Sequence, residues 1–205
     1  MNRLLWFVAV IGGLPGLAWA EPVLARWSGG GGGGGEPMIV EVRGFDDAGF
    51  LRIAPTDGAQ GEALLPVSEV GDLRFIFSEA YQEARLRVSV GRPAEALYLL
   101  QQEMPGFVPY AVLADSNVPP AVRLYLRLLQ HGEAWPEAVA VGAALTQSGD
   151  SHDLIPDVLS LIQALIRVER IEDASWLLSR VNFATDSTYA EAVERVAAQL
   201  RRAGH

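Results

Sequence analysis

The sequence predicts a mainly helical α+β fold. A small N-terminal β module of about four short strands is followed by an array of α-helical hairpins. Residues 38–77 hold short apolar runs separated by turn residues, and from Ser78 onward apolar residues recur at helical spacing. Half of the 205 residues are hydrophobic, which is enough for the core of one domain or of two small ones.

Residues 1–20 have the features of a secretory signal peptide. Arg3 supplies the positive charge, Leu4 to Leu17 form an apolar stretch, and Ala18-Trp19-Ala20 is a small-x-small cleavage site. The alternative is an uncleaved membrane anchor, which needs about 20 apolar residues, whereas glycine and proline interrupt this stretch. We therefore expect an exported protein, periplasmic or secreted, with a mature chain that starts at Glu21.

Residues 21–37 are predicted to be a flexible linker, because they contain seven consecutive glycines. The β module follows at residues 38–77. Its four predicted strands are the runs at 39–43, 50–54, 62–67 and 72–77. About 40 residues are too few for a secure independent core, so we expect the module to pack on the helices that follow it.

The helical domain is predicted over residues 78–205. Ser78 is a suitable N-cap for its first helix, Pro93 opens the second, and Pro105 is expected to end the second. The remaining helices are predicted to start at Pro119, at Ala134, at a cap formed by Asp150 or Ser151, at Ile171 and at Tyr189.

One sequence element recurs three times in this domain. A tight turn is followed about five residues later by a small alanine that comes directly after an acidic residue. The turns lie at Gly91, at Gly132 with one residue inserted, and at Glu169, and the alanines are Ala96, Ala138 and Ala174. Alanine at such a position allows two helices to approach closely.

Over roughly residues 78–203 this element resembles the tetratricopeptide repeat family, whose usual period is about 34 residues. The chain departs from that family in its uneven spacing and in the replacement of the turn glycine by Glu169. The bulky aromatic early in each first helix is matched only in part, by Tyr81 and Tyr125. An ordinary helical bundle is the alternative interpretation.

The resemblance implies a concave face lined by the first helix of each hairpin. With the three alanines in register, this face is implied to hold Tyr81, Arg85, Arg123, Arg127, Gln163 and Arg167. They form three pairs at i,i+4 spacing, so the members of each pair share one side of a helix. The carboxylate clamps of the family imply a protein or peptide partner with an acidic segment or a C-terminal carboxylate, since arginine binds carboxylates with two hydrogen bonds. The alternative is that these arginines pair with neighbouring acids on a solvated surface.

The composition excludes several chemistries. The chain has no cysteine and all 16 of its basic residues are arginine, so it has no thiol nucleophile and no lysine for a Schiff base or a Walker motif. Its net charge of −9 disfavours nucleic acid as a partner. Ser151, His152 and Asp153 are adjacent, whereas a catalytic triad converges from separate segments, so helix capping explains them better.

We therefore predict no catalytic, cofactor-binding or metal-binding residues. The expected function is that of an exported, non-catalytic scaffold for protein–protein interaction. Two alternatives remain open at this point, a structural or assembly component of the bacterial cell envelope and a hydrolase with an unrecognised carboxylate site.

Overall fold

A computed structural model describes residues 23–28, 37–56, 61–67, 70, 73–147, 154–181 and 189–204. Within them the chain is mainly helical, with an N-terminal antiparallel sheet, which confirms the predicted fold class. The strands are β1 (Val23–Trp27), β2 (Met38–Phe45), β3 (Leu51–Pro55), β4 (Ala63–Leu65) and β5 (Leu73–Phe75). The helices are α1 (Glu79–Ser89), α2 (Pro93–Phe107), α3 (Val118–His131), α4 (Trp135–Gln147), α5 (Ile155–Arg167), α6 (Ile171–Leu178) and α7 (Ala190–Ala203), with a 3₁₀ helix at Val108–Val112 between α2 and α3.

The sheet has five strands in the order β4-β3-β2-β1-β5. The strand missing from the prediction is β1, which lies inside the stretch 21–37 that we expected to be a linker. It pairs with β2 on one side and β5 on the other, and Ala25 at its centre is completely buried. The expectation of a linker over 21–37 is therefore wrong for Val23–Trp27, while the glycine run and the predicted signal peptide lie outside the described residues.

The outer edge of β5 is closed by a side chain. The amide of Asn117 makes two hydrogen bonds with the backbone of Phe75: Oδ1 accepts from the Phe75 N–H and Nδ2 donates to the Phe75 carbonyl, both at 2.8 Å. One asparagine thus supplies the pair of bonds that a further strand would make, and so protects an edge that would otherwise be open. It also ties the sheet to the start of α3.

The sheet and the helices share one hydrophobic core. Phe75 of β5 packs edge-on against Phe107 at 5.9 Å between ring centroids and lies 5.0 Å from the ring of Tyr110. Phe77 contacts Phe107 at 4.8 Å and Tyr81 at 4.3 Å. The segment after α2 is therefore where the sheet rests on the helices, as expected for a β module too small to fold alone.

A bulge in β2 shapes this contact. The β2–β3 register shifts between Val42 and Phe45, and Gly44 adopts a φ of +100°, which is the left-handed region that favours glycine. The shift brings the ring of Phe45 to 5.8 Å from that of Tyr110.

The helices form successive antiparallel hairpins, α1–α2, α3–α4 and α5–α6, followed by α7. Each helix packs on the next in sequence, and the end of α2 also contacts the sheet, where Phe107 packs on Phe75 of β5. In addition α3 contacts α5, α4 contacts α6, and α5 contacts α7, so from the second hairpin onward the equivalent helices of successive hairpins are neighbours.

The second helix does not end at Pro105, as the sequence led us to expect, but continues to Phe107. A proline inside a helix removes the hydrogen bond to the carbonyl four residues earlier. That carbonyl belongs to Gln101, which is an exposed residue, and an exposed carbonyl can accept a hydrogen bond from water instead.

The three hairpin turns have the same backbone conformation. Gly91, Glu133 and Glu169 all have positive φ, at 74°, 56° and 62°, and each lies five residues before its buried alanine. In every turn this residue donates to the carbonyl three residues back, and the next residue donates to the carbonyl five back. This is the Schellman pattern of helix termination. The equivalent of Gly91 is therefore Glu133 rather than Gly132, and the three copies align without the insertion.

The three repeated alanines are among the most deeply buried residues of the helices. Ala96, Ala138 and Ala174 are each 0% exposed. Close helix contact also constrains two glycines: a Cβ at Gly132 would lie 2.6 Å from a methyl of Leu97, and one at Gly142 would lie 2.8 Å from a methyl of Leu161.

Candidate functional site

The six residues implied for the binding face lie on α1, α3 and α5, the first helices of the three hairpins. Arg85, Arg127 and Arg167 are exposed, while Arg123 and Gln163 are half-buried. We call these five residues the arginine face.

Tyr81, the sixth residue, lies in the core instead. Only 7% of it is exposed, and its ring packs on that of Phe77. Burial raises the pKa of its hydroxyl, and the nearby charge of Arg85 lowers that pKa in part. Tyr81 therefore supports the inner side of α1, next to the sheet, and leaves Arg85 as the exposed member of the pair.

Two of the arginines meet at one carboxylate. Asp157, in the first turn of α5, accepts a hydrogen bond from Nε of Arg123 at 2.6 Å. Its other oxygen lies 3.7 Å from a guanidinium nitrogen of Arg127. The Asp157 side chain is only 14% exposed, whereas that of Arg127 is 69% exposed. The structure thus brings Arg123 and Arg127 together, and through Asp157 it links the first helices of two successive hairpins.

Arg85 and Arg167 are not part of this cluster. Within the described residues, neither forms an ion pair. Gln163 and Arg167 share the i,i+4 spacing on α5, as Arg123 and Arg127 do on α3. The alternative for these arginines was that they pair with neighbouring acids. Arg123 does so at Asp157, and Arg127 does so at longer range.

Asp157 is the residue that sequence reasoning missed. It lies 34 residues after Arg123, which is about one repeat period, and residues one period apart occupy adjacent first helices in an array of hairpins. That spacing was the available signal.

In the described ranges, no group of three or more His, Asp or Glu side chains is arranged to hold a metal ion. The cluster of Ser151, His152 and Asp153 lies outside the described residues, as do the predicted caps Asp150 and Ser151. In the described part of the chain, no helix is both long and apolar enough to cross a bilayer.

Comparison with known proteins identifies no relative: no family model, curated protein or solved structure matches the chain.

Proposed function

We propose that this protein is an exported, non-catalytic scaffold that binds a protein or peptide partner through the arginine face. The observation that carries the proposal is the meeting of Arg123 and Arg127 at Asp157, on the first helices of adjacent hairpins. A partner with an acidic segment or a C-terminal carboxylate suits this surface.

The geometry around Asp157 supports carboxylate binding in a specific way. Asp157 holds Arg123 through Nε, which fixes the plane of that guanidinium. Arg127 is mostly exposed, and its guanidinium lies 3.7 Å from the Asp157 carboxylate. An ion pair at this distance on the surface stabilises the protein little. A second carboxylate arriving from solvent can therefore bind the outer edge of Arg127 with two parallel hydrogen bonds.

Export is the second part of the proposal, and it is supported by the sequence of residues 1–20. The first strand starts at Val23, so cleavage after Ala20 would leave every described element in the mature chain. The protein would then act in the periplasm or outside the cell.

The test compares arginine variants of the mature protein as baits in an envelope extract. One bait carries Arg85→Ala, Arg127→Ala and Arg167→Ala; Arg123 is kept, because its removal would leave Asp157 without its close partner. A control bait carries Arg195→Ala, Arg201→Ala and Arg202→Ala on α7, so that both baits lose the same charge.

A captured partner is then measured against both variants by titration. We expect the first variant to bind at least about tenfold more weakly and the α7 variant to bind as the unmodified protein does. Equal binding by all three proteins, with circular dichroism showing intact folds, would refute the arginine face as the binding site.

A further inference from the structure

The first helices of the three hairpins can be compared residue by residue. Each of them ends in the same Schellman turn, so residues that lie the same number of positions before the left-handed turn residue are equivalent. The residues seven positions before the turn confirm this alignment, because all three are at most 1% exposed; they are Ala84, Leu126 and Ile162.

One stripe of these helices faces the preceding hairpin. It consists of the residues eight, five, four and one positions before the turn, a spacing that places them on one side of a helix. A Cβ at Gly132 would lie 2.6 Å from a methyl of Leu97 in α2. A Cβ at Gly142 in α4 would lie 2.8 Å from a methyl of Leu161. The stripe of α3 therefore packs on α2 and that of α5 packs on α4. Its members are Tyr125, Leu128, Leu129 and Gly132 in the second hairpin and Leu161, Ala164, Leu165 and Val168 in the third.

In the first hairpin the same stripe is open to solvent at its apolar positions. Leu86 is 55% exposed, whereas its equivalents Leu128 and Ala164 are each 5% exposed. Val90, at the end of the stripe, is 58% exposed. We call this stripe the α1 stripe; its members are Glu83, Leu86, Arg87 and Val90.

The charged residues of the α1 stripe are balanced within the chain. Arg87 pairs with Glu83 at 2.6 Å and with Glu95 of α2 at 3.1 Å. Glu95 also pairs with Arg92 at 3.4 Å, so two acids meet two arginines. No excess charge is left to select a partner, and the occupant of the stripe therefore has to bind through apolar side chains.

The later hairpins show which kind of element fits such a stripe. In both of them the second helix of the preceding hairpin packs on it. A second copy of this chain has no equivalent helix to offer, because its α2 already packs on α3, its α4 on α5 and its α6 on α7. The occupant is therefore a helix of a different protein.

We propose that the α1 stripe binds an apolar helix of a partner protein, in the position that a preceding second helix takes in the later hairpins. The partner thereby extends the array by one helix. The stripe shares no residue with the arginine face, and this inference does not depend on the proposed function.

The probe is a synthetic peptide with the sequence of α4 (Trp135–Gln147), which packs on α5. This helix is the better model because α5 is followed by Val168 at the position of Val90. The sequence of α2 is less suitable, since α2 packs on Gly132, where any Cβ would come within 2.6 Å of Leu97.

The peptide needs support, because an isolated helix of this length is marginal in water. A lactam bridge that replaces Pro136 and Ala140, neither of which is fully buried in the protein, holds it helical. Fluorescein on the peptide provides the anisotropy signal. A peptide of the same composition in scrambled order, with a bridge of the same kind, is the control for the probe.

Two variants of the mature protein are compared with the unmodified protein. The stripe variant carries Leu86→Gln and Val90→Gln, and both side chains are more than half exposed, so circular dichroism should show an intact fold. The matched control carries Leu64→Thr and Ile76→Thr, which remove two exposed apolar side chains from the sheet region. Threonine keeps the preference for strand structure.

We expect the stripe variant to bind the α4 peptide about tenfold more weakly and the matched control to bind normally. Binding should change by less than about twofold between low and high salt, because the charges of the stripe are balanced. The variant Arg85→Ala, Arg127→Ala, Arg167→Ala should also bind normally, which separates this site from the arginine face.

Three results would overturn the proposal. The first is peptide binding that is absent, or that is the same for the stripe variant and the unmodified protein. The second is equal binding of the scrambled peptide, which would reduce the effect to unspecific apolar adsorption. The third is dimerisation in sedimentation that the stripe variant abolishes, which would make the occupant a second copy of the chain.

Discussion

We expect buried tyrosines to make the stability of the protein depend on alkaline pH, most of all Tyr110 and Tyr125. Burial raises the pKa of both Tyr110 and Tyr125 to about 12, from an ordinary value of 10.0. For Tyr110 a backbone hydrogen bond with Gly44 opposes the rise, and for Tyr125 the charge of Glu137 adds to it. Both hydroxyls are therefore neutral in the folded state at a pH where the unfolded chain begins to ionise.

The sign of the effect follows from proton binding. Between pH 10 and about 12 the unfolded state loses the tyrosine proton and the folded state keeps it, so the free energy of unfolding falls as pH rises. The stability is complete below pH 10 and is lost through the folded pKa. We expect Tyr125→Phe to reduce this decline by about 1–2 kcal/mol, measured by urea unfolding at a series of pH values.

The control for this experiment is Tyr98→Phe, which changes a side chain that is 69% exposed. Its decline with pH should match that of the unmodified protein. If Tyr125→Phe also declines as steeply as the unmodified protein, burial of this hydroxyl does not govern the alkaline loss.

At the scale of elements, the hairpin turns show what an array of this kind requires. All three turns need a residue with positive φ five positions before the alanine, yet only Gly91 is a glycine. Glu133 and Glu169 adopt a left-handed conformation that costs a non-glycine residue about 1 kcal/mol. In these two turns the residue present is therefore not the one that best fits the backbone conformation required by the fold.

We expect Glu169→Gly to stabilise the protein by about 0.5–1 kcal/mol and Gly91→Ala to destabilise it by about 1 kcal/mol. Both changes are measured as shifts in the denaturation midpoint. Glu194→Gly, within α7 and exposed, serves as the matched control and should cost about 1 kcal/mol, because glycine weakens a helix interior. A destabilised Glu169→Gly protein would contradict this account of the turns.

The strands show where periodicity stops being informative. In the runs that became β2 to β5, inward and outward side chains alternate, and turn residues bound each run. These strands could therefore be predicted from the sequence. β1 has only three inward positions, Val23, Ala25 and Trp27, and it adjoins the glycine run, so local composition outweighed its pattern. Its place between β2 and β5 depends on pairing with distant strands, which one short segment does not reveal.

The same limit applies to the candidate site. The i,i+4 spacing of Arg123 and Arg127 placed both on one side of α3 without a structure. Their shared contact with Asp157 depends on how two hairpins stack, and the repeated alanines are 42 and then 36 residues apart. Uneven spacing hid a contact made at a separation of 34 residues. Likewise, the i,i+4 pairing of Tyr81 with Arg85 did not show that Phe77, just after β5, packs on the ring of Tyr81.

At the scale of the whole molecule, the shared core predicts that the sheet and the helices unfold together. Trp27 lies in β1 against this core, whereas Trp135 and Trp176 lie in α4 and α6. In the variant Trp135→Phe, Trp176→Phe, the fluorescence of the mature protein reports on the sheet alone. Its urea midpoint should coincide with the loss of far-ultraviolet ellipticity, which reports on the helices.

A core substitution makes this prediction sharper. Phe107→Ala in α2 removes the ring that contacts both Phe75 and Phe77, and such a change costs about 3–5 kcal/mol. We expect it to lower the Trp27 midpoint as much as the helical midpoint, although the residue itself lies in a helix. Trp27→Phe, which leaves the two helical tryptophans, is the control for the probe. A sheet that folds independently of the helices would not respond to a change in α2. If the Trp27 midpoint is unchanged while the helical midpoint falls, the sheet therefore folds on its own.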